Sequence, residues 1–291
     1  MLSSFDMPSM ASYTTSRLKR LAEAWQILLV AAVISCAGNS GKPSAKASAS
    51  SDSARPLVRY GIPTGHEDEG CTLLVKSAYE CFHSPRVKTS LWVAYRAEGK
   101  GPDSIGRPSN AFRPEPALAP DQRADTVDYR VLHDSFDYER GHLAPDQIIK
   151  QFGRDAQKET YSLANMTPQH SKTNGPIIGA LEKEICRWSS HADPVWVITG
   201  PVFFGPETTW RGTRRVAIPD AYYMVLNRGT VPTVLSFLVR NDSYPPKYVS
   251  ANDYLVSADS IEKLTGLDFL SELPDTIEDS VEAEVPAAAW R

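Results

Sequence analysis

The chain of 291 residues has little cysteine, with four at Cys36, Cys71, Cys81 and Cys186. Their spacing forms neither a CxxC pair nor a Cys/His set of the kind that holds zinc, which argues against a structural zinc site. An excess of charge of one sign is also lacking, since 31 Lys and Arg oppose 35 Asp and Glu. The whole molecule therefore has no strong positive field, and any site for a polyanion has to be local.

Long apolar runs are scarce as well. An uncharged run from Trp25 to Ser35 follows three basic residues and is too short to span a bilayer comfortably. This order predicts an export signal over residues 1–36. Its end, Val33-Ile34-Ser35-Cys36, resembles the lipobox of bacterial lipoproteins, in which Cys36 would carry lipid and anchor the protein to a membrane. The alternative is an ordinary signal cleaved later, for example after Ala47. Either way we expect export, to the bacterial cell envelope, the periplasm or the medium.

The remaining chain divides by composition. Residues 37–55 are mostly Ser, Ala, Gly and Lys and predict a flexible linker, because such a segment cannot bury enough apolar surface to offset the entropy of ordering. Residues 56–273 have the composition of a folded domain. Residues 274–291 begin with a stretch that carries five acidic residues and no basic one, which predicts a solvated acidic tail.

Local patterns within residues 56–273 favour a mixed α+β domain built around a largely antiparallel sheet. Short β-branched and aromatic runs predict strands, and two of them flank a turn and predict a hairpin. Two segments have helical spacing or capping signals. The predicted strands are Ser90–Tyr95, Pro194–Phe204, Ala221–Leu226 and Thr233–Val239, and the predicted helices are Pro176–Trp188 and a short one between Ser257 and Gly266.

Polar residues suited to catalysis concentrate between Tyr138 and Trp188. His142 directly follows Arg140-Gly141 and precedes a Pro that stops regular structure, so its imidazole can lie beside a guanidinium suited to phosphate. Asn165 lies in the next predicted strand, and Asn174 and Glu182 follow at a spacing of eight residues. The order strand, loop, strand, helix can bring these side chains around one cleft.

These blocks resemble the signature of the DNA/RNA non-specific endonucleases of the ββα-metal, or His-Me finger, superfamily, which include endonuclease G. That signature is Asp-Arg-Gly-His, then Ser-Asn-x-x-Pro-Gln, then an Asn and, eight residues on, Leu-Glu on a helix. Here the blocks read Glu139-Arg140-Gly141-His142, Ala164-Asn165-Met166-Thr167-Pro168-Gln169, Asn174 and Leu181-Glu182. The resemblance extends over nearly the whole domain. It includes further similar segments at Tyr60–Pro63, Trp92–Tyr95, Thr199–Phe203, Pro219–Tyr223 and Thr265–Leu267.

The resemblance implies a ββα-metal fold, with helices flanking the sheet, and a role for each matching residue. His142 would be the general base, and Asn174 the direct protein ligand of a single Mg²⁺, for which Mn²⁺ could substitute. Glu182 would hold the waters of that metal, Asn165 would orient the site, and Arg140 would contact phosphate. We group His142, Arg140, Asn165 and Glu182 as the catalytic residues. The expected partners are DNA and RNA, cleaved to leave 5′-phosphate ends.

Several positions depart from the family pattern, among them Ile177 or Ile178 where the family has a Trp between the Asn and the Glu. Glu139 replaces the Asp of the first block, which keeps the carboxylate and moves it by one methylene. Arg187 lies five residues after Glu182, where the family has an Arg four residues after. We predict that Arg187 is a second phosphate contact. The alternative, with equal weight, is that Arg187 does not contact phosphate.

Three questions stay open on the sequence alone. Cys71 and Cys81 are ten residues apart and could form a disulfide in an oxidising compartment or remain two buried thiols. A non-catalytic protein that binds nucleic acid or another polyanion is one rival to the nuclease. An enzyme that acts on some other phosphodiester is a second rival. The oligomeric state is also not determined by these motifs.

Overall fold

The computed structural model of the chain describes residues 56–65, 70–109, 111–205, 209–211, 216–229, 232–242 and 244–290. The predicted signal, Cys36 and the predicted linker lie outside these residues. Among the described helices, none has both the length and the apolar character needed to cross a membrane.

Strands form where β-branched and aromatic side chains are concentrated. They are β1 (Thr72–Val75), β2 (Tyr79–Ser84), β3 (Thr89–Ala97), β4 (Tyr138–His142), β5 (Met166–His170), β6 (Val195–Val202), β7 (Thr209–Arg211), β8 (Val216–Ile218), β9 (Ala221–Arg228), β10 (Thr233–Arg240) and β11 (Leu255–Val256). The predicted strands and hairpin are confirmed as β3, β6 and the antiparallel pair β9–β10.

Helices connect and cover these strands. They are α1 (Thr126–Phe136), α2 (Asp146–Ile149), α3 (Arg154–Glu159), α4 (Ser171–Thr173), α5 (Gly179–Trp188), α6 (Ala258–Thr265) and α7 (Asp275–Ala283). Three 3₁₀ turns span Lys150–Phe152, Leu163–Asn165 and Ala251–Tyr254, and a π-helical turn spans Asn174–Ile178. The helix predicted after Ser257 is confirmed as α6: the Ser257 side chain caps its first turn, and Gly266 ends it in the left-handed region at φ 74°.

A seven-stranded antiparallel sheet in the order β1-β2-β3-β6-β9-β10-β11 forms the centre of the domain. Side chains of β3 alternate between its two faces. Val93 and Tyr95 belong to a core cluster shared with Ile185 of α5, whereas Trp92 belongs to one shared with Ile261 of α6. Since both faces are covered, β3 is buried at every position.

The second sheet is the antiparallel pair β4–β5, in which His142 lies opposite Met166. Hydrogen bonds join β5 and the turn before it to the rest of the domain. Thr89 Oγ1 and Tyr129 OH both donate to the Met166 carbonyl, at 2.8 and 2.9 Å, and Tyr222 OH donates to the Pro168 carbonyl at 2.6 Å. This pair and α5 give the strand, strand, helix order of a ββα unit, and the expected α+β class is confirmed.

The C-terminal residues correct the prediction of a solvated tail. Residues 275–283 form α7, in which Val281 packs against the core and Glu282 is 4% exposed. Beyond the helix, the Trp290 ring meets the Trp188 ring edge-on at 5.8 Å, and the Arg228 guanidinium lies 4.3 Å from its centroid. Most residues of the segment are exposed, and apolar residues spaced between or after the acidic ones, such as Val281 and Trp290, make its contacts with the body.

The strand register decides between the alternatives for Cys71 and Cys81. Thr72 pairs with His83 and Leu74 pairs with Cys81, so Cys71 and Cys81 lie at different register positions of the β1–β2 pair. Cys81 is buried, and both residues are thiols in this structure.

Candidate active site

The strand β4 carries the first motif, and its glycine is required by close packing. A Cβ atom added to Gly141 would come to 2.0 Å from Cδ of Gln169, a buried residue of the neighbouring strand. No side chain can occupy that position unless Gln169 moves. Gly141 therefore leaves room for the Gln169 side chain next to His142 at the end of β4.

Asn165 holds the backbone that follows His142. Its Oδ1 accepts the Ala144 N–H at 2.8 Å, and its Nδ2 donates to the carbonyls of Ala144 and Thr160 at 3.0 and 2.9 Å. The side chain is fully buried, so its polar atoms are used within the protein. These contacts suit the orienting role predicted for Asn165, which stays a prediction.

The imidazole of His142 is packed between aromatic rings. Its centroid lies 5.1 Å from that of Tyr161, edge-on, and 5.8 Å from that of Phe112. Its Nε2 is buried and has no hydrogen-bond partner among the described residues. Burial lowers the pKa of His142 to about 4; the positive charge of Arg107 acts in the same direction, and Asp146 opposes both. At neutral pH the ring is uncharged and can accept a proton.

Asn174 is oriented by the acidic residue of the first motif. Its Nδ2 donates to Oε2 of Glu139 at 2.6 Å, which leaves the carbonyl oxygen Oδ1 as the end of the amide available to a cation. Asn174 begins the π-helical turn that leads into α5. The sequence predicted one α-helix from Pro176; the structure instead has a π turn through Ile178 before α5, a feature that recurs at functional sites.

Glu182 lies in the first turn of α5 and is surrounded by polar groups of α2. Its Oε2 accepts the Gln147 side-chain amide at 2.9 Å. Burial raises the pKa of Glu182 to about 8; the Gln147 hydrogen bond lowers it, and the nearby Asp146 carboxylate raises it further. Asp146 in turn accepts a hydrogen bond from Tyr161 OH at 2.6 Å. Because Asp146 acts on both His142 and Glu182, these two predicted site residues lie in one electrostatic environment.

Two arginines lie beside His142 on the aromatic ring of Phe112. The Arg140 guanidinium carbon is 4.3 Å from the Phe112 centroid, and that of Arg107 is 6.0 Å away. Arg140 and His142 are two residues apart on one strand and so point to the same side of it. A pocket of about 400 Å³ opens here, lined by Arg107, Pro108, Ala111, Phe112, Thr126 and Arg140.

Arg187 has different surroundings from the other predicted site residues. Its Nε donates to Oε2 of Glu184, one turn earlier on α5, at 2.9 Å, and its Nη2 contacts the same oxygen. Its guanidinium also lies 5.9 Å from the Trp188 ring centroid. It lines a groove with Trp290, and its side chain is 56% exposed. The described contacts of Arg187 therefore join it to its own helix.

Sequence reasoning missed four residues of this site: Arg107, Phe112, Asp146 and Gln147. Asp146 and Gln147 follow the first motif immediately, so their adjacency to Pro145 was a usable signal. Arg107 and Phe112 come from a loop more than 25 residues earlier in the chain, and no local pattern marks them.

Comparison with known proteins agrees with this arrangement. The family model described as DNA/RNA non-specific endonuclease matches residues 54–276. A nuclease of Serratia marcescens is 30% identical over 246 residues, which is 82% of this chain and 90% of that protein. The mitochondrial endonuclease G of Bos taurus is 25% identical over 255 residues, covering 83% of this chain and 81% of that protein.

The fold also has a counterpart among solved structures. A chain in the crystal structure of an EndoG/EndoGI complex superimposes with a TM-score of 0.63 at 21% identity, over 75% of this chain and 91% of that one. At that identity the likeness shows the fold alone. The family model and the Serratia relative show more: the chain is a nucleic-acid-cleaving hydrolase and belongs to the DNA/RNA non-specific endonuclease family.

Proposed function

We propose that this nuclease is exported and depends on Mg²⁺, and that it hydrolyses phosphodiester bonds of DNA and RNA with His142 as general base. The observation that supports this most is the imidazole of His142. It is uncharged at neutral pH, its Nε2 has no partner among the described residues, and it lies beside two arginines that face the same pocket.

His142 would take the proton of the attacking water. As the water oxygen bonds to phosphorus, the bond from phosphorus to the 3′-oxygen breaks, which leaves a 5′-phosphate on one product. The departing 3′-oxygen takes a proton from solvent. Base catalysis of this kind contributes about 10²–10⁴-fold to the rate. Asn165 supports the step indirectly, because it fixes the backbone at Ala144, two residues after the imidazole.

The residues present fit Mg²⁺. It is a hard cation that prefers oxygen ligands and keeps several waters, so the Asn174 Oδ1 as direct ligand and Glu182 through water form a suitable set. Glu182 is half-buried and its partner here is a neutral amide, so a divalent cation would favour its ionised form and offset the charge. The bound ion would supply positive charge to offset the anionic phosphate and the departing oxygen. Mn²⁺ has similar ligand preferences and would substitute.

Arg140 and Arg107 would hold the phosphates on either side of the cleaved bond. Guanidinium groups bind phosphate oxygens without reading base edges, which accounts for activity on both DNA and RNA with little sequence preference. We keep Arg187 out of this proposed set, because its guanidinium is paired with Glu184.

The metal site is tested by digestion of plasmid DNA and of RNA over a range of Mg²⁺ concentrations, with and without EDTA. We expect Asn174→Ala to abolish cleavage at ordinary Mg²⁺, because it removes the direct protein ligand. Glu182→Gln should raise the Mg²⁺ requirement more mildly, since an amide oxygen still accepts from a metal-bound water.

Glu184→Gln, two residues along the same helix, is the control and should leave the titration unchanged. Normal cleavage by Asn174→Ala would contradict the proposed site. Binding of DNA and RNA without cleavage in the wild type would favour a non-catalytic polyanion-binding protein, and cleavage of other phosphodiesters alone would favour the second rival.

Export and the lipid anchor are proposed from residues 1–36. If Cys36 is lipidated, Cys36→Ser should move the protein from the membrane fraction to a soluble one when cells are fractionated and blotted. A wild-type protein that is already soluble would contradict the anchor and would favour an ordinary signal cleaved later.

A further inference from the structure

The helices α6 and α7 bring together carboxylates that the nuclease site does not use. One carboxylate oxygen from each of Asp259, Glu262 and Glu282 lies within 4.8 Å of the other two. Asp259 and Glu262 are three residues apart on α6 and so share a face, and Glu282 comes from the last turn of α7. The cluster therefore joins two helices that are separate in the sequence.

Glu282 is the most buried of the three residues of the cluster. The residue is 4% exposed, and its Oε1 is buried without a hydrogen-bond partner among the described residues. An unpaired buried carboxylate oxygen is costly, and native proteins usually satisfy such an atom with a donor, a water or an ion. Glu282 also lies near the C-terminal end of α7, where the helix dipole disfavours negative charge and favours a cation.

The surroundings add negative charge and little positive charge. Glu278 lies one turn before Glu282, and its Oε1 is also buried without a partner among the described residues. Burial raises the pKa of Glu282 to about 9, with further increases from Glu262, Glu278 and Asp268, and a hydrogen bond with Glu282 lowers the pKa of Glu262. Without a cation the two carboxyl groups therefore share a proton at neutral pH, and a bound cation would displace it. Within the described chain, these three carboxylates have an ion pair with Lys263. The exposed Lys263 Nζ lies 3.9 Å from Asp259 Oδ2.

The spacing suits a large divalent cation. Ca²⁺ binds six to eight oxygens at about 2.3–2.6 Å, so two ligands on opposite sides of it are about 4.6–5.2 Å apart. Three oxygens within 4.8 Å of one another can all reach one such ion. We propose that Asp259, Glu262 and Glu282 form a Ca²⁺ site that joins α7 to α6, separate from the catalytic metal site.

One ligand is already held in place. Glu262 Oε1 accepts the Phe269 N–H at 2.9 Å, which fixes that carboxylate. The bound ion would stabilise the docked C-terminal segment, in addition to the packing of Val281 and Trp290 and the hydrogen bond from the Ala289 N–H to Asn252 Oδ1 at 2.7 Å.

The test is a Ca²⁺ titration of the full chain, stripped with EDTA, with thermal unfolding followed by circular dichroism. At a Ca²⁺ concentration about a hundredfold above Kd, the wild-type Tm should rise by roughly 5–10 °C. Asn174→Ala should show the same rise, because it changes only the proposed catalytic site. Glu282→Gln should lose most of the rise. Glu284→Gln makes the same charge change at an exposed position two residues away and should keep it.

Equilibrium dialysis gives a second measurement that does not depend on the stability of the Glu282 variant. It should find Ca²⁺ bound to wild type and to Asn174→Ala with the same stoichiometry. The proposal is overturned if Ca²⁺ leaves the wild-type Tm unchanged, if Glu282→Gln keeps the full rise, or if Asn174→Ala abolishes the rise or the binding. A Tm that depends on pH but not on Ca²⁺ would mean that the carboxyl groups share protons instead. None of these outcomes depends on nuclease activity.

Discussion

Glu139 is the residue whose substitution tests the proposed metal site most directly without touching a ligand. Its carboxylate accepts the Asn174 amide N–H at 2.6 Å and thereby selects which end of that amide faces the ion. A hydrogen bond to a charged group contributes about 1.5–3 kcal/mol, against about 0.5–1.5 for a neutral one. Glu139→Gln should therefore weaken the hydrogen bond that orients Asn174 by about 1–1.5 kcal/mol. This loss corresponds to a roughly 5–10-fold rise in the Mg²⁺ concentration for half-maximal activity.

The size of the effect should follow the chemistry of the substituted side chain. Glu139→Ala removes the acceptor entirely and should raise the Mg²⁺ requirement roughly 10–100-fold, the usual range for residues that orient a metal ligand. Glu139→Asp restores the family residue and should retain activity if the shorter carboxylate still reaches Asn174.

The assay is the initial rate of plasmid cleavage as a function of Mg²⁺, with Glu184→Gln as a control that makes the same charge change on α5. If Glu139→Gln and Glu139→Ala both titrate like wild type, then orientation of Asn174 by Glu139 is not part of the metal site. A fall in the maximal rate with no change in the Mg²⁺ midpoint would also contradict this reasoning.

Two further predictions concern proton transfer and phosphate binding. Because burial lowers the pKa of His142 to about 4, and the base has to be neutral, activity should be lost with falling pH only below the ordinary histidine value of about 6.5. Asp146→Asn should move that loss to still lower pH, since it removes the charge that raises the pKa of His142. A pH profile of kcat/KM at saturating Mg²⁺ checks both expectations. A loss of activity centred above pH 6.5 would contradict them. Arg140→Gln should reduce the salt slope of duplex DNA binding in EDTA by about 0.9, whereas Arg187→Gln should leave it unchanged; equal slopes for Arg140→Gln and wild type would remove Arg140 from the phosphate contacts.

Much of the fold follows from local sequence patterns. Ser90–Tyr95 predicts β3 because its β-branched and aromatic side chains suit a strand covered on both faces. The capping signal at Ser257 and the glycine at Gly266 predict both ends of α6, since each satisfies a requirement of the helix terminus itself. Signals of this kind are local, and distant parts of the chain do not override them here.

The parts that the sequence did not predict depend on contacts between distant segments. Arg107 and Phe112 reach His142 only through the folded loop that carries them, and Glu139 meets Asn174 only because β4 and the π turn lie side by side. The acidic C-terminal residues were interpreted by composition alone, and the docking of Trp290 on Trp188 lies outside what composition can indicate.

Charge and burial in the site together explain how an acidic protein can act on a polyanion. The net charge of −4 gives no long-range attraction, and in the proposed mechanism Arg107 and Arg140 would supply attraction at short range. Stacking on Phe112 holds both guanidinium groups beside His142, and the charge of Arg107 helps to keep that imidazole neutral. In the proposed mechanism, the groups that attract phosphate would therefore also favour the protonation state that a general base requires, because both effects arise from positive charge placed next to a half-buried ring.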